Sequence, residues 1–397
     1  MRFLLLFVLG SFYLSLADRS DDVLKQFSKG YDAFTADVYK ELIKSNTKNL
    51  IFSPLSVNIA LTLVTSGARE ETAKELLNAL RLPEDPQQLR ETFAALSIEL
   101  RPVHQYNLSC ANKIYVKNGI QVSDQFKKAI VTIFNTHIQN IDFSKNIETA
   151  NQINKWVEDE TENKIRNLVD PYMLDEDMYT VLINAIHFHG IWMKQFDPSS
   201  TIPYTFRLNL KDFIQTPMMM AIDTYGYYES FDLNAKFLKL DYGGGDVSMH
   251  IVLPNDITGL GDVEKKLSQV FVPPQYKNTK VHVLIPKITI ESQMKFKPIL
   301  QAMGVRSAFE DYANFGGILV NQASNLKISE IVQKSFVEVT EEGTTAAAAT
   351  AMFQTSRLSE LADSPKEFYA DHPFMFYLRL NAMGINFFVG RYVSPSP

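Results

Sequence analysis

Cysteine is nearly missing from this chain: Cys110 is the only one among 397 residues. A lone thiol excludes an intramolecular disulfide, so packing has to hold the fold together. Cys110 lies in LSCANKIYV, residues 108–116, an apolar-rich strand pattern that predicts a buried thiol rather than a reactive one. Basic runs are missing as well. The formal charge is -6 and the pI about 5.7, which gives no electrostatic footprint for nucleic acid. Between residues 84 and 106 only Arg90 and Arg101 are strong bases, so this stretch gives no support for polyanion binding. Beyond the N-terminus, no apolar run is long enough to span a bilayer.

The usual signatures of catalysis are lacking too. No Gly-x-Ser-x-Gly elbow offers a hydrolase serine. Gly243-Gly244-Gly245 has neither the Lys-Ser/Thr nor the helix of a phosphate loop, and reads as a hairpin turn. His187 and His189 would share one face of a strand, yet no Asp, Glu or Cys is spaced to complete a metal set. We expect no enzyme, no cofactor and no metal site, and structural roles for both histidines.

What is present begins with a secretory leader. Arg2, the apolar run Phe3 to Leu9 and Ser15-Leu16-Ala17 form a signal peptide over residues 1–17, so the mature chain starts near Asp18 and is secreted. Asn107-Leu108-Ser109 is a candidate N-glycosylation site at Asn107. With 46% hydrophobic residues the chain can build a sizeable core. Val23, Phe27, Tyr31, Phe34, Val38 and Leu42 recur at helical steps over residues 20–44. Ser53 is placed to cap a buried helix that opens at Pro54 and runs to about Thr65. Further helices are expected at 70–80, 84–100, 123–134, 148–166, 260–270 and 295–303. Strands are expected at 107–116 and 179–188, and they dominate from residue 203 onward. Helices first and strands later, with no repeat and no proline-rich linker, predict a single α+β domain.

One stretch stands apart. EVTEEGTTAAAATAMFQTSR, residues 338–357, contains a run from Thr344 to Ala351 with no charge and nothing large enough to anchor a core. Alanine favours a surface helix. A strand would instead put Thr344, Ala346, Ala348, Thr350 and Met352 on one face. Small, uncharged residues suit a segment that is solvated first and slotted between strands later.

Several motifs, in their order and spacing, resemble the serpin family over the whole mature chain, residues 18–397. They are Phe52-Ser53-Pro54-Leu55-Ser56, Asn184-Ala185-Ile186-His187-Phe188 with Gly190 and Trp192, and Glu341-Glu342-Gly343-Thr344 with the alanines. Asp371-His372-Pro373-Phe374 and Phe387-Phe388-Val389-Gly390-Arg391 complete the set.

The resemblance implies three β-sheets, eight or nine helices and an exposed reactive loop at about 341–366. It also implies a monomeric suicide inhibitor. A protease cleaves the bait bond, the freed loop enters the main sheet as a new strand, and the protease is trapped as an acyl-enzyme. The hinge would be Glu341, Glu342, Gly343, Thr344, Ala346 and Ala348. The family's usual spacing puts the bait bond at Arg357–Leu358, so the partner is a trypsin-like serine protease; Phe353 or Leu358 as bait residue would suit a chymotrypsin-like one. Ser53, Ser56, Asn184 and Gln333 would form the shutter beneath the sheet. Gln333 departs from the family's common histidine, and Asp241 from a frequent proline. The rival reading is a non-inhibitory member serving as carrier, storage protein or chaperone, which would tend to have a bulky or charged hinge.

Overall fold

The computed structural model describes residues 27–83, 85, 88, 106–134, 136–321, 326–344 and 364–395. The leader, all of the helix expected at 84–100 except residues 85 and 88, and the loop from 345 to 363 lie outside these.

Helical periodicity is realised where it is strongest. Helix α1, residues 27–45, buries Phe27, Tyr31, Phe34, Val38 and Leu42. Helix α2, Pro54–Gly67, begins where Ser53 accepts a hydrogen bond from the Ser56 N–H at 3.2 Å, with proline in the first turn. Every residue of α2 except Ser66 is buried, so it is a helix inside the core. Helix α3 spans Glu70–Leu80, α4 Asp124–Phe134 and α5 Asn146–Glu160. The last ends sooner than its periodicity suggests. The Thr161 hydroxyl donates to the Val157 carbonyl and accepts from the Ile165 N–H, while Glu162 and Asn163 adopt positive φ. The helix expected over 260–270 is two short ones, α6 Leu260–Glu264 and α7 Leu267–Val270, and α8 spans Lys297–Ala302.

The strands are β1 Leu50–Phe52, β2 Tyr106–Lys117, β3 His137–Ile141, β4 Thr180–Ile191, β5 Ile202–Arg207, β6 Phe213–Ser230, β7 Ala235–Asp241 and β8 Val247–Pro254. They continue with β9 Lys277–Pro286, β10 Ile288–Lys295, β11 Glu330–Val339, β12 Gly343–Thr344, β13 Lys366–Tyr369, β14 Phe374–Leu380 and β15 Ile385–Tyr392. One hydrogen-bonded array runs β1-β15-β14-β8-β7-β6-β9-β13, with β5 also on β6. Two of the three expected sheets are joined in it, because β6 keeps β9 along one edge and shares the other between β5 and β7. The main sheet runs β10-β11-β12-β4-β2-β3. The fold is a single-domain α+β arrangement with eight α-helices among the described residues.

β4 is buried on both faces, which explains its unbroken apolar sequence. Leu182, Ile186 and Phe188 join the large core around α1 and α2. Val181, Ile183 and Ala185 face the other way and pack with Ile153, Val157 of α5 and Val332 of β11. Among the described residues no helix is long and apolar enough to cross a membrane.

Candidate functional site

The centre of the main sheet is a seam. β11 and β4 pair in parallel from Glu330–Val181 to Phe336–His187. Above that point they part, and β12 fills the gap, antiparallel to both: Thr344 faces Val339 on one side and Gly190 on the other.

The sequence reading leaves Thr344 in solvent, and the structure corrects it. Thr344 has no exposed surface, and its hydroxyl lies 2.6 Å from Tyr242 Oη. Tyr242 is stacked on Trp192 at 4.2 Å and meets Phe188 edge-on at 5.0 Å. Burial pushes its phenol well above the ordinary range, so it stays protonated. Trp192 is itself tied to the hinge: its indole N–H donates to the Thr340 carbonyl and its backbone N–H to that of Glu342, both at 2.9 Å. Gly343 is required here. Its φ is +152°, and a Cβ would sit 2.1 Å from the Gly190 carbonyl oxygen.

Glu341 is not a solvated acid either. Lys287 lies 2.8 Å from its carboxylate and Thr201 donates to it at 2.7 Å. Burial raises this carboxyl, and the hydrogen bonds from Lys287 and Thr201 outweigh it, so Glu341 titrates below the ordinary glutamate range. Glu342 lends its backbone carbonyl to Trp192. Ala346, Ala348, Phe353, Arg357 and Leu358 lie outside the described residues.

Beneath the seam, the four predicted shutter residues do meet. Gln333 and Asn184 are registered partners across β11 and β4. Gln333 Nε2 donates to Asn184 Oδ1 at 2.6 Å and to the Ser53 carbonyl at 2.9 Å. Its Oε1 accepts from the Ser53 N–H at 2.9 Å and from the Ser335 hydroxyl at 3.3 Å. The Asn184 amide N–H group in turn reaches Ser56 Oγ and Asn112 Oδ1. A glutamine amide fills every donor and acceptor position this network offers it. The sequence reading missed Asn112, Ser335 and Tyr242. Asn112 and Ser335 had a signal, since each is a polar residue inside an apolar strand.

His187 is buried on the opposite face, beside Phe336. Burial, and then the Lys164 charge, push its pKa down to about 4, so the ring is neutral. Asn107 pairs with His189 along β2 and β4, and Cys110 with Ile186; the side chains of Asn107 and Cys110 are outside the description.

A mixed sheet held apart at one end by its own chain, over a hydrogen-bonded clasp, defines the class of protein. The chain belongs to the serpin family: the family model, Serpin (serine protease inhibitor), matches residues 29–395. Antichymotrypsin-2 of Bombyx mori is 36% identical over 355 residues, covering 88% of this chain and 94% of that protein. Antitrypsin of the same moth is 34% identical over 394 residues, 98% of both. Among solved structures, Serpin48 of Tenebrio molitor superimposes with a TM-score of 0.87 at 37% identity, covering 94% of this chain and 99% of that one.

Proposed function

We propose that this chain is a secreted suicide inhibitor of a trypsin-like serine protease, cleaved at Arg357–Leu358. The observation that carries the reading is Thr344, seated between β11 and β4 at the mouth of a seam that is closed below it. Insertion of a strand there replaces one parallel ladder with two antiparallel ones. Antiparallel pairing is the more stable per residue, and each added backbone hydrogen bond contributes about 0.5–1.5 kcal/mol. The gain is unavailable while the loop is intact and spans both ends, and becomes available when the bait bond is cut. Small residues from Thr344 to Ala351 let the strand enter before the acyl-enzyme hydrolyses. Relatives of nearly equal identity are named for chymotrypsin and for trypsin inhibition, so the bait residue decides the target. Arginine suits the acid-floored pocket of a trypsin-like enzyme.

The test mixes the mature protein with trypsin and looks for a complex that survives boiling in SDS. It should form, release a peptide beginning at Leu358, and be lost in Thr344→Arg and in Arg357→Ala. Clean cleavage without a complex would favour the carrier or storage reading. A complex formed only with chymotrypsin would move the bait residue to Phe353 or Leu358.

A further inference from the structure

A tyrosine in a folded protein usually packs its ring and leaves only the hydroxyl wet. Tyr172 packs almost nothing, with 95% of its surface exposed. Among the described residues, the other exposed tyrosines are Tyr312 at 73% and Tyr228 at 37%. The exposure of Tyr172 is built into the backbone around it. Leu168, Val169 and Leu174 are buried in the smaller core beside α5. Asn154 of α5 grips Val169 on both sides, donating to its carbonyl and accepting from its N–H, each at 2.8 Å. Between these anchors Asp170 accepts from the Tyr172 N–H at 2.9 Å and opens a single 3-10 turn, Pro171–Met173. The proline fixes φ at the start of that turn. With Val169 and Leu174 turned inward, the phenol is held out from a fixed piece of surface.

The charge around it has one sign. Asp170, Asp175, Glu176 and Asp177 lie within five residues of Tyr172, and that window has no Lys or Arg. All four acids are exposed, and none forms an ion pair with a described residue. Lys117 reaches the segment, but it donates to the Glu176 backbone carbonyl and leaves the carboxylates unpaired. Tyr312 differs on this point. It follows Glu310 and Asp311, Asp311 is paired with Lys327 at 2.6 Å, and no acid stands in the next five positions.

A presented phenol beside unpaired carboxylates suits an enzyme that must hold a polyanionic donor. Such an enzyme has a basic cleft, and acids flanking the acceptor are attracted to it. We propose that Tyr172 is a tyrosine O-sulfation site, modified while the chain passes through the secretory route. The donor is a nucleotide phosphosulfate. The phenol oxygen bonds to sulfur, the bond from sulfur to the nucleotide's bridging oxygen breaks, and the phenolic proton passes to a base on the enzyme. The nucleotide leaves with the bridging oxygen, and an aryl sulfate remains on Tyr172. The ester adds a fixed negative charge to a surface that already has four. The proposal rests on the secreted reading, because the modifying enzyme is met only on that route.

The experiment expresses the full chain with its leader in cells that sulfate a co-expressed control protein, and recovers it from the medium. Trypsin then releases residues 167–194 as one peptide, and fragmentation places any added group. Sulfate should sit on Tyr172 and be absent in Tyr172→Phe. The double variant Glu176→Gln with Asp177→Asn should be sulfated several-fold less, with the thermal midpoint of the native protein. An unmodified Tyr172 in secreted protein, or sulfate on Tyr179 or Tyr312 instead, overturns the site. A group removed by phosphatase is a phosphate ester and overturns the chemistry. Equal sulfation of the double variant overturns the part given to the flanking acids. A chain retained inside the cells overturns the secreted reading, and this site with it.

Discussion

Tyr242 Oη and Thr344 Oγ1 lie 2.6 Å apart, and both residues are fully buried. This bond ties β12 to the residue that follows β7 in the adjoining sheet. Tyr242→Phe keeps the ring stacked on Trp192 and removes only the hydroxyl, leaving Thr344 short of a partner at a cost of about 1–2 kcal/mol. Amide exchange in a peptide covering residues 338–346 should quicken about tenfold, with little change in global unfolding. Unchanged exchange would show that the backbone pairing alone seats the hinge.

Gly343 makes a sharper test of the same seat. Alanine there would combine an unfavourable positive φ with a Cβ 2.1 Å from a backbone oxygen. The hinge has to leave the gap between β11 and β4. Gly343→Ala should expose Tyr242 and Trp192, red-shifting tryptophan emission and admitting a fluorescence quencher. A spectrum identical to that of the native protein would mean that β12 tolerates the side chain.

Gln333 predicts an absence of pH dependence. Its four contacts involve no titratable group. Histidine at this position would gain a proton on acidification, and its ring would then have no acceptor for the Ser53 N–H or the Ser335 hydroxyl. The rate of loop or peptide insertion should be flat from about pH 5 to pH 8 in the native protein and vary in Gln333→His. A native profile as steep as the variant's would sink the idea.

Asp32 predicts a pH dependence of stability. Burial raises its pKa to about 7, against a smaller lowering by Arg379. Its Oδ1 meets no donor among the described residues. The folded value lies above the unfolded one of about 3.9, so its contribution is full below that pH and is lost as pH rises toward about 7. Asp32→Asn should therefore raise the thermal midpoint at neutral pH and leave it nearly unchanged near pH 4. The side chain is half-buried and solvent screens it, so the gain is about 1 kcal/mol. A lower neutral-pH midpoint would mean that pairing with Arg379 outweighs desolvation.

Much of this molecule was legible from residue patterns. Helix α2 announced itself through Ser53, Pro54 and an apolar run, because a capping hydroxyl and a fixed proline φ act locally. β4 was visible as a continuous apolar segment, which is how a strand buried on both faces must read. The shutter came from motif resemblance, and Ser53, Ser56, Asn184 and Gln333 do meet. The early end of α5 was hidden, since the Thr161 hydroxyl competes with helical bonding only once Val157 and Ile165 are in place. The joining of two expected sheets along β6 was hidden for a similar reason: one strand can serve three partners only after all of them are positioned.

The sequence alone determined most of the elements and the small, uncharged composition of residues 344–351, because capping, periodicity and side-chain size are properties of neighbours along the chain. Only the tertiary structure decided that Thr344 is buried between β11 and β4 and that Glu341 is clamped by Lys287 and Thr201. Those facts depend on register between strands far apart in sequence, and a shift of one residue would turn every side chain to the other face. Local preference does not carry that information. It resides in pairings such as Val339 with Thr344 and Gly190 with Thr344, which exist only once the sheet has formed.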